Sequence, residues 1–153
     1  MIVKKLDENA IAAVDHLGWR LWCAARLWKS EFDAGMAERG LTWFTEARSG
    51  VMQTVGAGGS RQSDLGERLG LTKQAVQQLV DDLVEIGALL RKPDPKDARA
   101  KRVVLTRKGA AALAAANEVK RAIEAQHRER IGPKAFEALI AALRSLAPDP
   151  RGH

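Results

Sequence analysis

The chain has 153 residues, one cysteine and a formal charge of +6 at pH 7, with 46% hydrophobic and 29% charged residues. One cysteine excludes an intramolecular disulfide framework and a paired-cysteine metal site. The longest unbroken apolar run, Ala110 to Ala116, is far shorter than the ~20 residues a membrane-spanning helix needs. The basic balance points to an anionic partner, either nucleic acid or an acidic membrane surface.

The start of the chain carries Lys4, Lys5, Asp7 and Glu8 with no apolar signal core behind them, so a cytosolic protein is expected. From about Asn9 to Arg39, the spacing of Ala12, Leu17, Leu21, Ala24, Leu27 and Trp28 predicts one long helix. Trp19, Trp22 and Ala25 widen its apolar surface beyond a single stripe. Such a helix needs more than one cover, and in a chain this small the second is another subunit. Gly40-Leu41-Thr42 breaks the chain, and Thr42 is expected to cap a second helix from about Trp43 to Thr54. Gly56-Ala-Gly-Gly-Ser60 ends that helix. It has no P-loop lysine and follows a helix, so it is not a phosphate cradle.

Ser63 is expected to cap a short helix from Asp64 to Leu69, with Gly70 supplying a turn. Thr72 then caps a helix from Lys73 to Ile86, which Gly87 ends in the left-handed conformation. Two helices joined by a short glycine-containing turn form a helix-turn-helix pattern. At 3.6 residues per turn, Val76, Leu79, Val80, Leu83 and Ile86 share one side, and Gln74, Gln77, Gln78 and Asp81 share the other. The exposed face therefore opens with Lys73 and amides. Its acids, Asp81, Asp82 and Glu85, come later, away from the N-terminal end through which a recognition helix touches bases.

The stretch from Arg91 to Gly109 sets Arg91, Lys92, Lys96, Arg99, Lys101, Arg102, Arg107 and Lys108 against Asp94 and Asp97. Leu89 to Lys92 leads into a Pro/Asp turn and Lys101 to Leu105 leads out, which predicts a β-hairpin. A basic hairpin directly behind a helix-turn-helix is a wing that lies along DNA. Arg99, near the tip, is assigned to the minor groove, held by Asp97 or by the turn backbone; the alternative is a solvated surface arginine. Asp97 itself has a structural part. Arg91, Lys96, Lys101 and Arg102 are candidate phosphate contacts, each worth about 0.9 in the salt slope of binding.

A second long helix is predicted from Thr106 to about Arg130, with Leu113, Val119 and Ile123 on one side. Pro133 suits the first position of a final helix carrying Phe136, Leu139, Ile140 and Leu143. The fold class is mainly α with a small β-hairpin wing (α+β): a winged helix-turn-helix flanked by N- and C-terminal helices. Residues 41–109 form the DNA-binding domain, and 9–40 and 110–147 the flanking helical region.

Trp22 and Trp28 fit the core or an interface. His16, Trp19, Arg20, Trp43, Phe44 and Arg48 are candidates for a pocket taking a planar aromatic or carboxylate ligand, with packing as the alternative. Cys23 lies in the apolar run Leu21 to Ala25 and is expected to be a buried, unreactive thiol. His16, His127 and His153 have no metal-ligand spacing. No catalytic residue, metal site or cofactor is assigned.

The run from about Gln62 to Gly109 resembles the MarR family of multiple-antibiotic-resistance-type winged-helix repressors. Three pieces carry the resemblance: Asp64-Leu-Gly-Glu-Arg-Leu-Gly-Leu-Thr72, Val80-Asp-Asp-Leu-Val-Glu-Ile-Gly87, and Asp94-Pro-Lys-Asp-Ala-Arg99 closing on Leu105-Thr-Arg-Lys-Gly109. The resemblance implies an obligate dimer joined through the N- and C-terminal dimerisation helices, so that 9–40 and 110–147 form a dimerisation region. It also implies a pseudo-palindromic double-stranded DNA operator, often released by a small phenolic or otherwise aromatic effector. The chain departs from the family at Trp43-Phe44-Thr45-Glu46 in its second helix, and at Gln77-Gln78, where many members have a Thr/Ser-Arg pair. Glutamine pairs bidentately with adenine, so an operator richer in A·T contacts is expected. The family's hydroperoxide-sensing branch stabilises a thiolate with tyrosine hydroxyls, and this chain has no tyrosine. Two alternatives to a ligand-released repressor stay open: a winged helix used for protein–protein contact, and redox control through Cys23.

Overall fold

The computed structural model describes residues 14–147. Helix α1, Leu17–Glu38, starts later than its apolar spacing suggests. His16 caps its N-terminus, in extended conformation, with its imidazole accepting from the Trp19 amide at 3.3 Å. Asn9 to Ala13 of the predicted helix lie outside the described residues. Every residue from Val14 to Ser30 is exposed, and α1 enters the core through Phe32 and Met36. The expectation of a buried Cys23 is therefore corrected. Its thiol is exposed, because the half of α1 that carries it is left uncovered by the other described residues. Trp22 and Trp28 are likewise not core residues.

Helix α2, Glu46–Val55, is capped by Thr45, whose side chain accepts from the Arg48 amide at 3.3 Å, and not by Thr42. The intervening residues turn instead, with Phe44 N donating to Leu41 O, so that Phe44 drops into the core. A two-residue strand, β1 (Ser60–Arg61), runs straight into α3, Gln62–Leu69. Ser63 does not cap α3. The helix begins before it, and the Ser63 hydroxyl donates to Asp64.

Gly70 and Gly87 both adopt left-handed backbone, at φ 63° and 80°, where a side chain would be strained. Between them lies α4, Lys73–Glu85, capped by Thr72 on the Ala75 amide. Its Val76, Val80 and Leu83 are fully buried.

Strands β2 (Leu89–Asp94) and β3 (Asp97–Leu105) are longer than predicted. They pair antiparallel from Leu89↔Leu105 to Asp94↔Asp97, with an irregularity at Pro93/Asp94, and β1 adds to the other edge of β3 to give the order β1-β3-β2. Thr106 caps α5, Arg107–Ile131, through the Gly109 amide and donates its hydroxyl to Gly87 O at 2.7 Å. Pro133 opens α6, Pro133–Leu146. One apolar core joins all of this except α6: Phe32 and Met36 of α1 meet Val51 and Met52 of α2, Leu65 of α3, the buried face of α4, Val103, and Ala112 to Ile123 of α5.

Candidate nucleic-acid interface

The core fixes which side of α4 faces out. Burying Val76, Val80 and Leu83 leaves Lys73, Gln74, Gln77 and Gln78 exposed. The two acids that follow are tied down from opposite directions. Asp82 takes Arg48 Nη2 of α2 at 3.0 Å and Gln78 Nε2 at 2.8 Å. Asp81 takes Arg91 of β2 and Gln77 Nε2. Arg48, then Gln78, holds the Asp82 carboxyl below the usual carboxylate range; Gln77, then Arg91, does the same for Asp81. Each acid thus forms a locally neutral pair with an arginine, Asp82 with Arg48 and Asp81 with Arg91.

The wing turn is built on two carboxylates. Asp94 is buried beneath the tip, accepts from the Lys96 amide at 2.8 Å and receives Arg61 Nε at 2.8 Å. Those contacts, Arg61 first, hold its pKa down to about 2. Asp97 accepts from the backbone amide of Arg99 at 3.0 Å, which orders the tip and leaves the Arg99 side chain exposed. Lys96 and Lys101 are exposed beside it.

Two of the ten candidate DNA contacts are part-buried and engaged within the fold. Arg102 clamps the loop before β1, its Nη2 donating to Gly58 O at 2.8 Å and Gly59 O at 3.0 Å. Arg91 binds Asp81 and Gln62. Sequence reasoning missed the supports Arg61, Gln62, Asp82 and Asp94. Of these, Asp94 alone carried a local signal, the Pro-Asp-Pro turn.

The six candidate ligand residues fall into two groups. His16, Trp19 and Arg20 lie at the exposed start of α1, where Arg20 pairs with Asp15 and Trp19 stacks on Trp22. Trp43, Phe44 and Arg48 cluster at the start of α2: Phe44 is buried, and Arg48 Nη1 donates to Trp43 O at 3.0 Å. No hydrogen bond or aromatic contact joins the groups. A cleft of about 780 Å³ lies elsewhere, between α1, α2 and Lys120 of α5, walled by Trp22, Trp28 and Phe32. Arg26, Lys29 and Lys120 bring cations to it, and Asp33 and Glu46 bring acids.

Among the described residues no cluster of three or more His, Cys, Asp or Glu side chains is placed to hold a metal. No helix among them is long and apolar enough to cross a membrane.

Residues 45–100 match the family model described as MarR family. No curated protein matches the chain in sequence. Among solved structures, a transcriptional regulator of Thermotoga maritima is 27% identical, with a TM-score of 0.60 over 84% of this chain and 89% of that one. The apo form of MarR from E. coli is 20% identical, with a TM-score of 0.67 over 89% of this chain and 100% of the other. The transcriptional repressor CouR, solved bound to a 23-mer DNA duplex, is 24% identical, with a TM-score of 0.68 over 88% of this chain and 99% of its own. The last two likenesses are of fold.

Proposed function

We propose that this chain is a MarR-family transcriptional regulator that works as a homodimeric repressor, binding DNA with α4 and the wing and releasing it on binding a small aromatic ligand. One observation carries the DNA-binding part. The exposed N-terminal face of α4 and the basic wing tip are each ordered by internal contacts, while Lys73, Gln74, Gln77, Gln78, Lys96, Arg99 and Lys101 stay exposed to a partner. In this reading α4 enters the major groove, Arg99 enters the minor groove, and Lys96 and Lys101 meet phosphates. Arg91, Arg102 and Asp97 act mainly by holding the wing in place.

The dimer is supported by the apolar residues this chain leaves uncovered. Leu17, Trp19, Leu21 and Leu27 of α1, Ile131 of α5, and Leu139 and Leu146 of α6 are all exposed. That is the distribution expected if 9–40 and 110–147 pair with a second copy, placing two recognition helices about 34 Å apart. For the effector, the aromatic cleft is the better candidate, because it brings its walls and cations together and the six residues named from sequence do not come together. Selection of bound duplexes from a random pool tests the DNA-binding part: a palindromic consensus supports it, and no enrichment refutes it. Tryptophan fluorescence titrated with aromatic acids tests the cleft, where Trp22 and Trp28 report occupancy.

A further inference from the structure

The carboxamide of Gln77 is held at both ends. Its Nε2 lies 2.9 Å from each oxygen of Asp81, one turn further along α4. Its Oε1 accepts from Nε2 of Gln62, the first residue of α3. Gln62 Oε1 in turn accepts from Arg91 Nε on β2 at 3.2 Å, and Arg91 Nη2 closes the ring on Asp81 Oδ1. Four side chains from α3, α4 and the wing thus form a closed loop of hydrogen bonds.

The direction of this loop is fixed by chemistry. A guanidinium can only donate and an ionised carboxylate can only accept. Gln62 must therefore turn its oxygen to Arg91 and its amino group to Gln77. Gln77 must turn its oxygen to Gln62 and its amino group to Asp81. Reversing either amide would set donor against donor at one end and acceptor against acceptor at the other. The contacts from Gln77 and Arg91 also favour the charged form of Asp81 and so keep it an acceptor.

The ring leaves Gln77 a defined remainder. The two N–H bonds of an amide diverge too widely to reach both oxygens of one carboxylate, so a single N–H is shared between them. One N–H and one oxygen lone pair remain on an exposed side chain. Adenine presents the complement in the major groove, an N7 acceptor beside an N6 donor. Guanine presents two acceptors there, N7 and O6, so one of them would face the free oxygen of Gln77, acceptor against acceptor. A glutamine without the ring can turn its amino group to either base.

We propose that Gln62, Asp81 and Arg91 are specificity-determining positioning residues, whose ring fixes the polarity of the Gln77 carboxamide so that it accepts adenine and rejects guanine. The proposal rests on the DNA-binding reading above, and the test separates the two.

Duplexes are selected from a random pool by the full-length parent and by Gln77→Ala, Gln62→Glu and Gln62→Ala. The base position whose preference vanishes in Gln77→Ala is the one Gln77 reads. The parent should favour adenine over guanine there by about tenfold or more. Gln62→Glu keeps a partner for Arg91 but cannot donate to Gln77, and should bring that ratio to within about threefold. Preferences elsewhere and the salt dependence should stay as in the parent. Gln62→Ala adds no charge but leaves Asp81 to accept from Gln77, so its ratio should fall between those of the parent and Gln62→Glu; thermal melts verify that both variants fold. Guanine preferred at the Gln77 position, no position that depends on Gln77, or an adenine preference unchanged in both Gln62 variants would each overturn the proposal alone. If the parent selects no sequence, the DNA-binding reading falls and takes the proposal with it.

Discussion

Arg61 Nε donates to Asp94 Oδ2 at 2.8 Å, pinning the strand that opens the helix-turn-helix to the turn of the wing. The pair lies 33 residues apart in sequence and is part-buried. It holds the wing tip to the body that carries the recognition helix, and its energetics carry a pH signature.

Asp94 titrates at about 2 in the fold against an ordinary value of 3.8, with Arg61 as the first cause and the Lys96 amide as the second. Because the folded value is the lower one, the unfolded chain binds the proton first as pH falls. The stabilisation from this pair is complete above about pH 4 and is lost as pH falls through about 2. Thermal melts from about pH 5 down to 2 should therefore show a fall in melting temperature that is smaller in Asp94→Asn. Equal pH dependence in the two proteins would contradict this account of the turn.

Gly109 stands in the first turn of α5, where alanine would ordinarily favour the helix by up to ~1 kcal/mol. Here an added Cβ would sit 2.2 Å from Ala88 O, a backbone atom that cannot swing away. Gly109→Ala should therefore destabilise the fold, by roughly 1–3 kcal/mol as overpacking does. Chemical denaturation measures it, and a midpoint at or above that of the parent would show that α5 can shift to make room.

Arg99→Ala should weaken binding to a selected duplex about tenfold or more. The melting temperature should stay unchanged, since the backbone amide of Arg99, not its side chain, binds Asp97. An unaltered dissociation constant would return Arg99 to the solvated surface.

Leu21 of α1 and Leu139 of α6 are exposed in the single chain and are assigned above to the subunit interface. An aspartate at either position would put an unpaired charge there, which is costly to bury. Sedimentation should show Leu21→Asp and Leu139→Asp dissociating at least about tenfold more readily than the parent, a change of ~1.4 kcal/mol. Helix content measured by circular dichroism should hold. A parent that sediments as a monomer at every concentration would remove the dimer.

What was legible in the sequence was what local chemistry decides. Helix α4 follows its apolar spacing, and Thr72 and Gly87 bound it as residues of their kind do. The start of α2 was misread because Thr42 and Thr45 are both good caps. The choice between them is made by Phe44 packing against Phe32 and by Arg48 reaching back to Trp43 O. Strand β1 is two residues long, and its partners Val103 and Arg102 lie far along the chain, so no pattern within it could announce it. In the Gln77 ring, the i,i+4 contact with Asp81 is readable on a helical wheel. Gln62 and Arg91 are brought in only by the folded arrangement of α3 and the wing. Cys23 was misjudged for a related reason: an apolar run implies a cover, but not that this chain supplies it.

The central claim is that α4 and the wing bind DNA. A mobility shift with the DNA flanking the protein's own gene, run across a salt series, tests it most directly. The account predicts a retarded complex at about 50 mM salt that is lost by about 200 mM at the same protein concentration, as release of counterions from several phosphates requires. No complex at about 50 mM, or one whose affinity is the same at both salt concentrations, would contradict it.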